Sequence, residues 1–178
     1  GEMLQHEALI RIRDQSLGLL SARQFIPHLK TDASIVQLDI TVIEHVISIL
    51  NNEPSQLVVS INLHSQNWLN PLFWKAFANS IKTFKGADKL QFEISAEDFN
   101  RHHAQLNSAF EQLTAINASI VIDNILTSED LAALPTLKLL KGLKLGYELM
   151  HNIDKQLKPV ADGIFPILTL LPCPTSTL

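Results

Sequence analysis

Cysteine is almost absent from this chain. The 178 residues hold one, Cys173, which can form no internal disulfide and supplies no multi-cysteine zinc or iron–sulfur site. Such usage fits a reducing compartment, so a cytoplasmic location is expected. Positive charge is also scarce: 14 Lys and Arg against 18 Asp and Glu leave a formal net charge of −4. Non-specific binding to duplex nucleic acid depends on clustered cations and is not expected, whereas a small phosphate ligand needs only one or two placed ones. No uninterrupted apolar run approaches the roughly 18 residues of a membrane helix, so no membrane insertion is expected. Glu7, Arg11, Arg13 and Asp14 interrupt the N-terminal segment, which lacks the basic start and apolar stretch of a signal peptide. There is no P-loop, no GxGxxG and no GxSxG serine elbow.

What is present reads as a folded core: 46% of the residues are hydrophobic and 18% charged, in a length suited to one domain. Four short apolar runs recur, Gln56–Leu63, Lys89–Ser95, Ser119–Asp123 and Leu137–Leu145, each the length of a strand buried on both faces. An earlier segment, His6–Arg13, alternates with Ala8, Ile10 and Ile12 on one side and predicts a strand with a wetter face. Between them lie helical stripes. Ala33–Leu50 carries Ile35, Val36, Ile40, Ile43, Val46, Ile47 and Leu50; Pro71–Phe84 carries Phe73, Phe77 and Ile81; Glu97–Ile116 carries Phe99, Leu106, Phe110 and Leu113. Ser128 before Glu129 and Asp130 predicts a helix cap. Strand and helix thus alternate about five times, which predicts an α/β fold of parallel strands joined by crossovers. After Asp162 no charged residue remains, and Pro166, Pro172 and Pro174 divide the apolar end. Residues 159–178 are therefore set apart from residues 1–158 as a proline-rich tail: a packed end, an oligomer contact or the end of a truncated domain.

Each expected strand carries one polar residue near its C-terminal end: Glu7, Asn62, Glu93, Asp123 and Lys144. In parallel α/β folds those ends open on one face, where ligands bind. Three carboxylates and an amide oxygen make a hard donor set suited to Mg²⁺, Mn²⁺ or Ca²⁺, and a lysine beside them suits a phosphate or a water. Each residue alone is more often a strand cap, but five in register with five strand ends are not. His102 and His103 are adjacent on a helix and point to different faces, which excludes joint metal binding. His6 and His64 read as hydrogen-bonded residues near the pocket. Trp74 reads as core, and Trp68 as a surface on which a base could stack.

These residues carry a resemblance. Glu7, Ala8 and Leu9 are followed by Arg11; GLLSARQFIPHL from Gly18 holds Phe25, Ile26 and Pro27; VSINLH surrounds Asn62, FEIS surrounds Glu93, IVIDN holds Asp123, and LKL holds Lys144. In order and spacing this resembles the EAL domain, the bacterial cyclic-di-GMP phosphodiesterase family, over residues 4 to about 150. The resemblance implies a TIM-type (β/α) barrel, here incomplete and with an atypical first strand, and an activity that opens cyclic-di-GMP with two divalent cations. It implies Glu7, Asn62, Glu93 and Asp123 as ligands of a first Mg²⁺ or Mn²⁺, and catalytic roles for Glu7 and for Lys144 near the attacking water. It places Arg11, Leu9 and Pro27 at the nucleotide. The departures are as specific. Asn124 stands where the family has a second aspartate, Ile125–Ser128 replaces its glycine-containing loop, Ala96 replaces an acid, and Gly146 replaces an aspartate. VADGI around Asp162 follows Lys144 too closely to supply the family's further glutamate. The expectation is a degenerate EAL domain in cyclic-di-GMP signalling, with the second cation site weakened, acting as nucleotide receptor or as an interaction module for a partner protein or homodimer. The alternative is an active metal-dependent phosphodiesterase.

Overall fold

A computed structural model describes residues 4–52, 57–132, 134, 137–147, 149 and 169–171. Two compact units are present, residues 1–91 and residues 92–178. Of the tail, only Thr169–Leu171 falls within the described residues; Asp162, Cys173 and the tail prolines lie outside them.

In the first unit, β1 (Leu4–Ala8) runs parallel to β4 (Leu57–Asn62), with Glu7 opposite Ser60 and Ala8 opposite Ile61. The expected single strand over His6–Arg13 is two. Leu9 and Ile10 break it, and the chain continues as β2 (Arg11–Asp14), paired antiparallel with β3 (Gly18–Ser21). Its alternation was real, but Ile12 belongs to the hairpin, where it faces Leu20. The turn is held by Asp14, whose Oδ1 accepts from the Ser16 and Leu17 amides at 2.8 and 2.9 Å, and by Gly18 at φ +78°. The hairpin is inserted between β1 and the helices that lead to β4. A short α1 (Ala22–Phe25) and a 3₁₀ turn at Ile26–His28 then lead to the long helix α2 (Asp32–Asn52).

α2 buries Ile35, Asp39, Ile40, Ile43, Val46, Ile47 and Leu50: the predicted stripe without Val36, which is only half-buried, and with one addition, Asp39. By length and composition alone this helix could cross a membrane, since an 18-residue window has mean hydropathy 1.6. That corrects the reading that no segment comes near that threshold. Its apolar stripe packs on β4 and on α3 (Pro71–Ser80). α3 starts where Pro71 predicts, with Asn70 Oδ1 accepting from the Leu72 amide at 3.0 Å, but stops four residues short of Phe84. Phe73, Trp74 and Phe77 form its buried face, with ring centroids 5.1 Å apart for Phe73–Trp74 and 5.4 Å for Trp74–Phe77. Trp68 belongs to the same cluster. It is 3% exposed and its carbonyl accepts from the Trp74 indole at 3.0 Å, so the base-stacking reading of Trp68 is corrected to core.

β5 (Leu90–Ser95) enters the second unit, where the sheet order is β5, β6 (Ser119–Ile125), β7 (Leu140–Leu145) and β8 (Thr169–Leu171). β6, β7 and β8 are parallel, with Leu143 opposite both Ile122 and Leu170. The expected helix Glu97–Ile116 is two, α4 (Ala96–His102) and α5 (Asn107–Ala115). The stripe survives the break because Leu106, in the turn between them, is fully buried beside Phe99, Phe110 and Leu113. Ser95 caps α4, its Oγ accepting from the Asp98 amide at 3.0 Å. The cap of α6 (Ser128–Ala132) is Thr127, one residue before the expected Ser128. Its Oγ1 accepts from the Asp130 amide at 3.0 Å while Asp130 Oδ2 accepts from the Thr127 amide at 3.1 Å.

Candidate functional site

Strand geometry fixes the first group of polar residues. Glu7 is the penultimate residue of β1 and Asn62 the last of β4, and parallel pairing brings both to the same end of the two strands. There Asn62 Nδ2 donates to Glu7 Oε1 at 2.7 Å. The chain leaves β1 through Leu9, which is 56% exposed, and Arg11 opens β2 with its Nη1 donating to the Ile10 carbonyl at 2.9 Å. Leu9, Arg11, Asn62 and His64 line a cavity of about 180 Å³, together with Ile26 and Asp39. A neighbouring hollow of about 390 Å³ shares Leu9 and Arg11 and runs along α2 past Val42, His45 and Ile49. Pro27 is exposed and lines neither hollow; its neighbour Ile26 does. The structure therefore brings together Glu7, Asn62, Leu9 and Arg11, and leaves Pro27 outside.

Asp39 was not singled out in the sequence, yet it occupies this cavity's wall. Its Oδ2 accepts from the His64 backbone amide and from Asn67 Nδ2, both at 2.8 Å. Burial raises its pKa above the ordinary carboxyl value, against the opposing effect of these two donors and of the nearby His64 charge. The available signal was a carboxylate four residues from Ile35 and four from Ile43, on a stripe otherwise apolar.

The second unit holds the other group. Glu93 of β5 and Lys144 of β7 are 2% and 4% exposed, and Lys144 Nζ donates to Glu93 Oε1 at 2.6 Å. Two opposite charges withdrawn together from water satisfy each other, which is how a strand interior tolerates either. Asp123 sits in an irregularity of β6. Ile122 pairs with Leu143 and Ile125 with Leu145, so three steps on β6 match two on β7. Asn124 takes up the extra residue at φ +57°, a conformation that asparagine adopts more readily than most side chains, and Asp123 Oδ1 accepts from its amide at 2.7 Å. Beside this bulge the Gly146 amide donates to the Ile125 carbonyl at 2.8 Å. A Cβ on Gly146 would lie 2.5 Å from Leu126 Cδ2 and 3.2 Å from the Ile125 carbonyl oxygen. The two sequence departures at Leu126 and Gly146 are thus one structural feature: Leu126 occupies the space a side chain at 146 would take.

The fit to a divalent cation can be judged from these contacts. Among the described residues no three His, Cys, Asp or Glu side chains come together as a metal group. Glu7 Oε1 is engaged by an amide and Glu93 Oε1 by an ammonium. As they stand, the residues do not fit a two-cation centre. His102 ends α4 and His103 follows it, and neither joins a metal group.

Comparison with known proteins places this geometry. No curated protein matches the chain. Among solved structures, the FimX EAL domain from Pseudomonas aeruginosa bound to c-di-GMP superposes with a TM-score of 0.77 at 17% identity, covering 97% of this chain and 74% of that one. The PaMucR phosphodiesterase in its c-di-GMP complex gives 0.69 at 19% identity, over 93% and 72%. The Vibrio cholerae LapD S helix-GGDEF-EAL apo structure gives 0.75 at 19% identity, over 93% of this chain and 42% of that one. At these identities the likeness shows the fold, the α/β architecture of the TIM-barrel-like type expected from the sequence. The EAL domain family itself matches over residues 1–165, and the chain belongs to that family.

Proposed function

We propose that this chain is a receptor for cyclic-di-GMP that does not open the nucleotide. The observation that carries the reading is Asn124, held at φ +57° in the β6 bulge, where the resemblance places a second aspartate. Glu93, which the resemblance assigns to a cation, and Lys144, which it places at the attacking water, are both retained and meet at 2.6 Å. Cleavage of a phosphodiester by two metals needs enough negative charge to hold cations about 3.5–4 Å apart. Asn124 offers a neutral side chain in place of one acid, and Leu126 fills the space beside Gly146. The resemblance assigns one Mg²⁺ or Mn²⁺ to Glu7, Asn62, Glu93 and Asp123, and no step of this reading passes through it.

Recognition draws on the other arm. Arg11 supplies a guanidinium suited to a phosphate, on the rim of a cavity that Leu9 makes apolar and Asn62 makes polar. The FimX EAL domain, described as bound to c-di-GMP, and the PaMucR phosphodiesterase, described in its c-di-GMP complex, support that ligand. The test is calorimetric titration of cyclic-di-GMP with Ca²⁺ present, repeated with Arg11→Ala, followed by a turnover assay in Mg²⁺. Binding lost in Arg11→Ala and no linear dinucleotide product is the expected result. Metal-dependent hydrolysis at ordinary enzyme rates, about 1 s⁻¹ or more, would make the chain a working phosphodiesterase. No binding by a folded sample would leave an interaction module for a partner protein or a second copy.

A further inference from the structure

We propose that Asp39 is a positioning residue: by clamping the turn after β4 it holds the Asn62 side chain against Glu7 on the rim of the cavity. The inference rests on the receptor reading for the identity of the ligand and on the geometry for the clamp.

Asp39 stands where packing alone would place a leucine. It is 5% exposed, and Ile35 and Ile43 flank it one turn away on the buried face of α2. A carboxylate withdrawn from water is costly unless donors meet it, so its presence in a stripe of aliphatic residues calls for a task that an aliphatic side chain cannot perform. Both donors that meet it come from one short stretch, the His64 amide and the Asn67 side chain, each at 2.8 Å. Asn67 is fully buried and its Nδ2 also reaches the Ile35 carbonyl at 3.3 Å. The turn is then stiffened from within by the 3₁₀ segment Ser65–Leu69, which His64 opens, and by the Asn67 amide donating to the His64 carbonyl at 2.8 Å.

Asn62 lies two residues before His64. On one side the β1–β4 ladder holds Ile61, the residue before it; on the other its path is set by where His64 is held. Without the Asp39 acceptor, the His64 amide and the Asn67 amide lose their buried partner, and the turn is free to shift by the sub-ångström amounts that break a 2.7 Å contact to Glu7. Asp39, Asn62, Leu9 and Arg11 all line the same cavity, so such a shift would be felt where a ligand sits.

The test uses the full chain and two readouts. In ¹H–¹⁵N spectra without ligand, the Asn62 side-chain amide is assigned by its disappearance in Asn62→Asp, and its shift is followed in Glu7→Ala, Asp39→Leu, Asp39→Asn and Asn67→Ala. Asp39→Leu completes the apolar stripe, so a purely structural role would leave the Asn62 signal in place. We expect Asp39→Leu and Asn67→Ala to move it as Glu7→Ala does, with Asp39→Asn, which keeps an acceptor for His64, moving it less. Cyclic-di-GMP affinity should weaken about tenfold in Asp39→Leu and recover in part in Asp39→Asn. An unmoved Asn62 signal in folded Asp39→Leu overturns the clamp. If Asp39→Leu does not fold, Asn67→Ala decides by the same criterion. Should the signal move while the wild-type chain binds no nucleotide, the clamp stands and the receptor reading falls.

Discussion

Removing Lys144 should expose what the buried Glu93 carboxylate costs without its ammonium. Both side chains are almost wholly buried and meet at 2.6 Å, so in Lys144→Met the carboxylate keeps its burial and loses its counter-charge. Breaking such a pair from one side costs about 3–5 kcal/mol, whereas replacing both members by apolar residues of similar volume is near neutral or stabilising. Lys144→Met is therefore expected to lose about 3–5 kcal/mol, and Glu93→Leu/Lys144→Met to return to within about 1 kcal/mol of the wild type. An internal control is the exposed i,i+4 pair Arg101–Glu97, whose side chains are 58% and 73% accessible. Truncating Arg101 should cost no more than about 0.5 kcal/mol. The assay is urea unfolding monitored by circular dichroism, with all variants compared at one pH and salt concentration. A Lys144→Met protein as stable as the wild type, or a double variant no better than the single one, would refute the reasoning. It would mean that Glu93 finds other compensation.

Other consequences follow from single contacts. Gly146→Ala places a Cβ 2.5 Å from Leu126 Cδ2, the far end of an exposed side chain that can turn away, and 3.2 Å from the Ile125 carbonyl oxygen, so it should cost no more than about 1 kcal/mol; chemical denaturation checks it. Asn124→Val forces a β-branched residue into φ +57° and should destabilise by about 1–2 kcal/mol, while Asn124→Asp should be nearly silent, as thermal unfolding would show. Asp39 gives a pH signature. Its folded pKa is raised by burial, so the native state binds the proton more tightly than the unfolded chain, and stability falls as pH rises from the unfolded value of 3.8 through the higher folded one. Asp39→Asn should flatten that slope in unfolding curves taken across the acid range. A slope of opposite sign would show that the two donors outweigh desolvation.

The order of elements was legible because strands and helices have different hydrophobic periods, and the runs at Leu57–Asn62, Leu90–Ser95, Ser119–Ile125 and Leu140–Leu145 keep theirs. The failures share a cause. His6–Arg13 alternates through both β1 and β2 because each is a strand, and nothing in a period of two marks the change of sheet at Leu9 and Ile10. Glu97–Ile116 keeps a helical stripe across a turn because Leu106 is buried there as a helical residue would be. Of the site, the polar strand ends were visible as interruptions of apolar runs. Their pairing was not, since Asn62 with Glu7 and Lys144 with Glu93 depend on which strands lie side by side. Asp39 escaped because a lone acid in a helix reads as solvent-facing until its spacing from Ile35 and Ile43 is counted. Trp68 misled in the opposite sense, as an aromatic beside a strand end that turns out to be core.

The most direct test of a receptor without turnover is ³¹P NMR of cyclic-di-GMP mixed with stoichiometric protein in Mg²⁺, followed over hours. The account predicts a phosphodiester resonance shifted or broadened by binding and no phosphomonoester signal from a linear dinucleotide. A growing phosphomonoester signal, or a phosphodiester resonance unchanged by the folded protein, would contradict it.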